Sequence, residues 1–327
     1  MFTRLQIPCF TRKRFDVITG FFAETVDLAQ SADEEAIVHM VNGRGDVRKD
    51  YEEGAWIEFD EQHSRPQCHG SQAPYATCTF IDQESRKIIV QGHADKNICK
   101  NVGCLSKEKA SRNCGMYHLM ERVNRIKAFV SDESSGAAKS ITTFKAHFPQ
   151  HRAVEHYYDV WHKQRKLGTA FIKLQNERLK KYGDWKYPRL RNIKVAKVKR
   201  HFDFSCDYAL GDPEAFEGQL LAILSHYCDT RVLHVDSPSY GAFRALLEKT
   251  AQGANRYVYG CRTADCESFH ALANKYCPKG LNQSFEMYVC RKQLARLHWN
   301  CMMESHEAVA SMKKKIFDVT LLLYFTK

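Results

Sequence analysis

The sequence predicts an α/β fold: a mixed sheet with a helical insertion ahead of a last acidic helix. Three observations carry that prediction. Three strand-like runs follow one another early in the chain, helix and strand patterns then alternate, and strand patterns disappear between about 163 and 260.

Residues 1–54 combine the basic run Arg12-Lys13-Arg14, an apolar stretch and an acidic, helix-like segment from Ser31, too little for a self-sufficient domain. The first strand is expected at 55–59, running directly into Asp60, and the second at 75–81 after a polar loop. Asp82-Gln83-Glu84-Ser85 reads as a turn and 87–92 as the returning strand, so that a meander is expected. Met116, Leu119, Met120, Val123 and Ile126 recur at helical spacing and predict a helix over 106–127, begun by Ser106. A short apolar strand over 126–130 then ends in Ser131-Asp132. Another helix runs to Phe148, and a strand over 154–158 delivers Asp159-Val160-Trp161-His162. Helices fill 163–260, one of them over 213–228 capped by Gly211-Asp212, and a final helix over 264–276 carries Glu267 and His270 before Pro278. A meander followed by alternating helix and strand is the order of a ribonuclease H-like sheet. That fold gathers carboxylates from the ends of its first and fourth strands, here Asp60 and Asp132. The expected organisation is an N-terminal partial helical segment (1–54), a ribonuclease H-like domain (55–300) and a tail (301–327).

With 44% hydrophobic and 27% charged residues, the 327-residue chain has the composition of a soluble globular protein, which argues against disorder, collagen and coiled coil. Its longest apolar run, 319–325, is far short of the roughly 18 residues of a membrane-spanning helix, and no secretory signal pattern is seen. The 13 cysteines form no repeating frame and read as mostly reduced thiols, an expectation of cytosol or nucleus.

The charge is uneven. Residues 1–60 hold 7 Lys and Arg against 12 Asp and Glu. Residues 161–200 hold 14 Lys and Arg against only Glu177 and Asp184, a surplus of 12 that exceeds the +11 of the whole chain. Trp161, Phe171, Tyr182, Trp185 and Tyr187 interleave with this block. Such a stretch suits a surface that meets phosphates and stacks bases, and Lys163, Arg165, Lys166, Lys194, Lys197, Lys199 and Arg200 are its DNA-binding candidates. A solvated helix followed by a linker is the ordinary alternative.

Phosphodiester cleavage by two metal ions needs oxygen ligands that hold Mg²⁺ or Mn²⁺ pairs about 4 Å apart. Asp60, Asp132 and the helix-borne Glu267 would supply them; taken singly, each also fits a turn or a solvated helix. Whether Glu267 or Glu248 completes the set stays open. Asp159 and His162 share one face at a strand-to-helix junction, as an accessory pair or as a helix cap beside a buried histidine. Structural zinc is a minor expectation at Cys99, Cys104, Cys114 and His118, or at Cys261, Cys266, His270 and Cys277, because zinc knuckles are usually tighter.

Six strings occur in order: Tyr157-Tyr158-Asp159-Val160-Trp161-His162, Gly211-Asp212-Pro213-Glu214, Asp236-Ser237-Pro238-Ser239-Tyr240, Cys266-Glu267-Ser268-Phe269-His270, Lys275-Tyr276-Cys277-Pro278-Lys279 and Arg291-Lys292-Gln293-Leu294-Ala295. Together they resemble the Kolobok-like cut-and-paste DNA transposases, over about residues 56 to 300. The resemblance implies a DDE enzyme in which Asp60, Asp132 and Glu267 bind Mg²⁺ or Mn²⁺ for hydrolysis and strand transfer. It implies DNA as partner, nuclear residence, and Asp159 and His162 as residues that help position DNA or the site. No membrane and no small-molecule substrate is expected, and self-association is left open.

The chain also departs from the family. Family members place Gly on either side of the first Asp and a second Asp four residues on, ahead of Ser-Pro-Gly-His. Here Phe59 and Glu61 flank Asp60, Ser64 stands at the second Asp, and Arg65-Pro66-Gln67-Cys68-His69 follows. Residues 1–54 also lack the Cys/His frame of the THAP-type module that accompanies such transposases, and Lys313-Lys314-Lys315 with 319–325 read as an extension from a decayed reading frame. The alternative expectation is a transposase-derived protein that binds nucleic acid or protein without catalysis, with a zinc-stabilised binding protein third.

Overall fold

The computed structural model describes residues 12–47, 54–64, 75–95, 110–179, 184–280 and 283–304. The loop 65–69, Cys99, Cys104, Ser106, Tyr182 and the tail 305–327 lie outside the described residues. Helix α1 (Arg12–Val47) leads into strands β1 (Ala55–His63), β2 (Tyr75–Asp82) and β3 (Ile88–Asp95). Helix α2 (Ala110–Arg122), strand β4 (Ile126–Ser131), helix α3 (Ser135–His147) and strand β5 (Glu155–Tyr158) follow. Then come α4 (Val160–Gln175), α5 (Val195–Ala209), α6 (Pro213–Asp229), α7 (Pro238–Ala251), α8 (Ala264–Tyr276) and α9 (Phe285–Met302). The class is α/β, and the strands form one mixed sheet in the order β3-β2-β1-β4-β5. The meander is antiparallel, with Phe59 opposite Phe80 and Phe80 opposite Val90, whereas β4 and β5 run parallel.

Two of these elements differ from expectation. Strand β1 runs to His63 and pairs with β2 as far as Ala76, so Asp60 lies inside the strand and not at its end. Polar Glu61 and Gln62 stay in the ladder because both side chains find partners: Ser111 and Arg112 for Glu61, Asn274 and Lys292 for Gln62. Helix α2 stops at Arg122 because Asn42 of α1 supplies its end: the Asn42 amide donates to the Arg122 carbonyl at 2.9 Å, and its oxygen accepts from the Asn124 amide at 2.8 Å.

The chain divides into two compact units. The first comprises Met1–Lys127, Ser140–Ala153 and Ala264–Lys327, and the second Ala128–Lys139 and Val154–Thr263. The expected boundary at residue 54 therefore falls inside one unit. Helix α1 is anchored there by Asp33 and Glu34, which ion-pair with the fully buried Arg296 of α9. Arg296 and Asn300 in turn bond the backbone of β3: the Asn300 side chain accepts from the Ile88 amide at 2.7 Å, and Arg296 donates to the Ile89 carbonyl at 3.1 Å. These side chains occupy groups that an edge strand would otherwise present to a foreign strand. Helix α2 lies close on β3 because both are glycine at the contact. A Cβ on Gly92 would overlap the Ser111 carbonyl oxygen and come within 2.5 Å of the Gly115 amide nitrogen.

The second unit has a core of aromatic and aliphatic side chains from α4 to α7, among them Phe171, Phe202, Phe216, Leu220 and Phe243. Its helices begin where the sequence supplies caps. Asp212 accepts from the Glu214 amide at 2.9 Å ahead of Pro213, and Ser237 accepts from the Tyr240 amide at 3.2 Å ahead of Pro238, each cap contributing about 1 kcal/mol.

Candidate functional site

In the first unit, β1 and α8 are joined by a ladder of polar side chains. Alternate strand residues Glu58, Asp60 and Gln62 point to one face. Helical residues Cys266, His270 and Asn274, four apart, do the same. Four strand steps span about 13 Å and eight helical steps about 12 Å, so the two rows match rung for rung. Glu58 accepts from the Cys266 amide at 2.6 Å, His270 Nδ1 lies 3.5 Å from Asp60 Oδ2, and Gln62 donates to Asn274 Oδ1 at 3.0 Å. Behind Gln62, the buried Lys292 of α9 donates to Gln62 Oε1.

The electrostatics follow from burial. Glu58 is pushed up to about 8 by desolvation, with the charge of Asp265 adding to it, so its carboxyl is protonated around neutral pH. Burial holds His270 down to about 3, with Lys292 and Lys279 contributing, so the ring beside Asp60 is a neutral imidazole around neutral pH. Lys292 is lowered to about 8 by burial. The other Asp60 oxygen accepts from the Glu61 amide at 2.8 Å.

Glu267 sits on the exposed flank of α8, one residue beyond the rung formed by Cys266. Asp132, half-buried, directly follows β4 as expected, and belongs to the second unit. Carboxylate oxygens are the donors that Mg²⁺ and Mn²⁺ prefer. Among the described residues no group of three or more His, Cys, Asp or Glu side chains is placed to hold a metal ion. The same holds for the zinc spacings at the described cysteines. The Cys266 thiol is fully buried, held well above its ordinary pKa by desolvation, and contacts the Thr79 carbonyl; Cys277 accepts from Gln283 Nε2 at 2.9 Å. Cys78, Cys206, Cys261, Cys266, Cys277 and Cys290 are free thiols.

In the second unit, Asp159 is buried and caps α4. One oxygen accepts from the Trp161 amide at 2.9 Å; the other takes His162 Nδ1 at 2.6 Å and Thr263 Oγ at 2.7 Å. Burial by itself would raise Asp159, but these hydrogen bonds outweigh it and its pKa is lowered. The Val160 amide also donates to the Cys261 carbonyl at 3.0 Å, so Asp159 and Val160 clip the start of α4 to the 261–263 segment. Asp159 thus caps the helix, while His162 beside it is only half-buried.

The basic block is divided in use. Lys163 and Lys166 both ion-pair with Glu133, at 3.2 and 3.1 Å. Arg165 lies over Trp161, and Lys199 is half-buried with its stem against Gly168. Lys194, Lys197 and Arg200 are exposed at the start of α5. The interleaved aromatics differ in access: Phe171 is fully buried and Trp185 is covered by Arg178 and Arg191, whereas Trp161 is exposed. Gln62, Asn274 and Lys292 escaped the sequence reading, although the spacing of Cys266, His270 and Asn274 signals one helical face. Compared with protein-family models and with curated proteins, the chain matches none.

Proposed function

We propose that the chain is a transposase-derived, nucleic-acid-binding protein of the nucleus, built on a ribonuclease H-like sheet, that holds DNA without cleaving it. The fold reading is supported by the antiparallel meander followed by a parallel pair in the order β3-β2-β1-β4-β5. Binding is supported by the exposed basic side chains Arg165, Lys194, Lys197 and Arg200 of the second unit, which suit the phosphate backbone.

The observation that carries the absence of cleavage is the position of Asp60. It lies within β1, its carboxylate set against His270 and the Glu61 amide, while Glu267 stands on the outer flank of α8. In the competing reading, the chain is an active transposase in which Asp60, Asp132 and Glu267 hold Mg²⁺ or Mn²⁺; such ions, when bound, activate a water or hydroxyl nucleophile and stabilise the leaving oxygen. Supercoiled plasmid incubated with Mg²⁺ or Mn²⁺ and the purified chain, beside Asp132→Asn, separates the two. The proposal expects DNA binding with no nicking by either protein; nicking lost in the variant would establish the enzyme.

A further inference from the structure

In the second unit, residues 177–179 pair with residues 184–186. The Lys186 amide donates to the Glu177 carbonyl at 2.9 Å, the Leu179 amide to the Asp184 carbonyl at 2.8 Å, and Arg178 bridges Trp185 across the pair. A short 3₁₀ helix, Pro188–Asn192, then brings in Arg191. It is held firmly: Leu190 is fully buried, and Gln175 Nε2 donates to the carbonyls of Leu190 and Ile193 at 2.7 and 2.8 Å. The guanidinium carbons of Arg178 and Arg191 each lie 3.8 Å from the centroid of the Trp185 ring.

Two cations at 3.8 Å from one point are at most twice that, 7.6 Å, apart. This is within the Debye length of about 8 Å at physiological salt, so the two charges repel. Attraction to the indole face offsets part of that repulsion, and an anion shared by both would offset more. No ion pair of Arg191 is found among the described residues, and both arginines are exposed. A guanidinium is planar and carries its N–H groups in a fork that matches a phosphate.

We infer that Arg178, Trp185 and Arg191 form a preorganised clamp for the phosphodiester backbone of nucleic acid. The inference deepens the DNA-binding function proposed above and rests on it. The ring is the scaffold of the clamp and not a platform for bases, so binding is insensitive to sequence and no weaker for duplex than for single strands. Exposed Arg189 and Lys194 extend the basic track on either side of Arg191, which favours a polymer over an isolated phosphate.

Fluorescence anisotropy with the full chain, a mixed-sequence DNA duplex and the matching single strand tests this, with melting curves to confirm folding. Arg178→Gln with Arg191→Gln should weaken duplex binding roughly tenfold at physiological salt, and should lower the salt slope by about two contacts. Arg178→Lys with Arg191→Lys keeps the charges without the fork, and should recover only part of the loss. Trp185→Ala also keeps both charges, so the salt slope should stay while affinity falls, with Trp185→Phe restoring part of it. Duplex binding unchanged in the glutamine variant, or fully restored by lysine, overturns the clamp while leaving DNA binding intact. Loss of single-strand binding alone in Trp185→Ala would make the ring a base platform and overturn the inference. A wild-type chain that binds neither oligonucleotide overturns the DNA-binding function itself, and binding only to phosphatidylserine vesicles would move the clamp to a membrane partner.

Discussion

His270 Nδ1 lies 3.5 Å from Asp60 Oδ2, one helical turn beyond Cys266, whose amide donates to Glu58 at 2.6 Å. The relationship fixes which face of α8 meets the sheet. Removing His270 takes a largely buried ring out of its contact with the Asp60 carboxylate. His270→Ala is therefore expected to cost about 2 kcal/mol in urea unfolding, whereas Glu267→Ala, on the exposed flank, should stay within about 0.5 kcal/mol of wild type. Equal losses in the two variants would place Glu267 on the sheet side instead.

Close packing of α2 on β3 gives a second expectation. A methyl group on Gly92 would meet the backbone of α2, which cannot give way as a flexible side chain can. Gly92→Ala should lower stability by about 3 kcal/mol, whereas Gly218→Ala, inside α6 with nothing for its added Cβ to meet, should not lower it. Thermal melting of the two variants is the check.

How much of this was legible in the sequence depends on where the cause of each feature lies. The strands over 75–81 and 126–130 were legible because their own apolar residues are buried in them. The extension of β1 through Glu61, Gln62 and His63 was not, because Glu61 and Gln62 are held by partners 50 to 230 positions away, such as Ser111 and Lys292. Likewise the end of α2 is set by Asn42 of α1, 80 residues distant. Asp132 was placed correctly by its short apolar strand. The basic block was legible as a charge surplus, but not its internal use, since pairing of Lys163 and Lys166 with Glu133 is a tertiary matter.

Acid should weaken the second unit through His156. Its ring is buried between β4 and the 256 region; the Ser131 hydroxyl is 2.9 Å from Nε2, and its pKa is held down to about 4 by burial, with Arg256 adding. The unfolded chain binds a proton near 6.5, above the folded value, so stability is complete above pH 6.5 and falls as pH drops from there toward 4. The loss over that window is on the order of 3 kcal/mol. Denaturant midpoints between pH 7 and 4 should show the fall, reduced in His156→Gln; a slope identical in the variant would assign the acid sensitivity elsewhere.

The divided basic block predicts unequal effects on DNA affinity. Lys197→Gln with Arg200→Gln removes two exposed charges and should weaken binding to all sequences alike and reduce the salt slope by about two. Lys163→Gln should change affinity far less, because that ammonium already serves Glu133. The comparison is made by anisotropy across a salt series, and a larger effect from Lys163→Gln would reverse the assignment.

The most direct measurement is nicking of supercoiled plasmid by the purified chain with Mg²⁺ or Mn²⁺, beside Asp132→Asn, with DNA binding followed in the same samples. The position of Asp60 inside β1 predicts that both proteins bind DNA and neither cleaves it. Metal-dependent nicking by the wild-type chain, lost in Asp132→Asn while binding persists, would contradict this and show that the carboxylates assemble a working two-metal site.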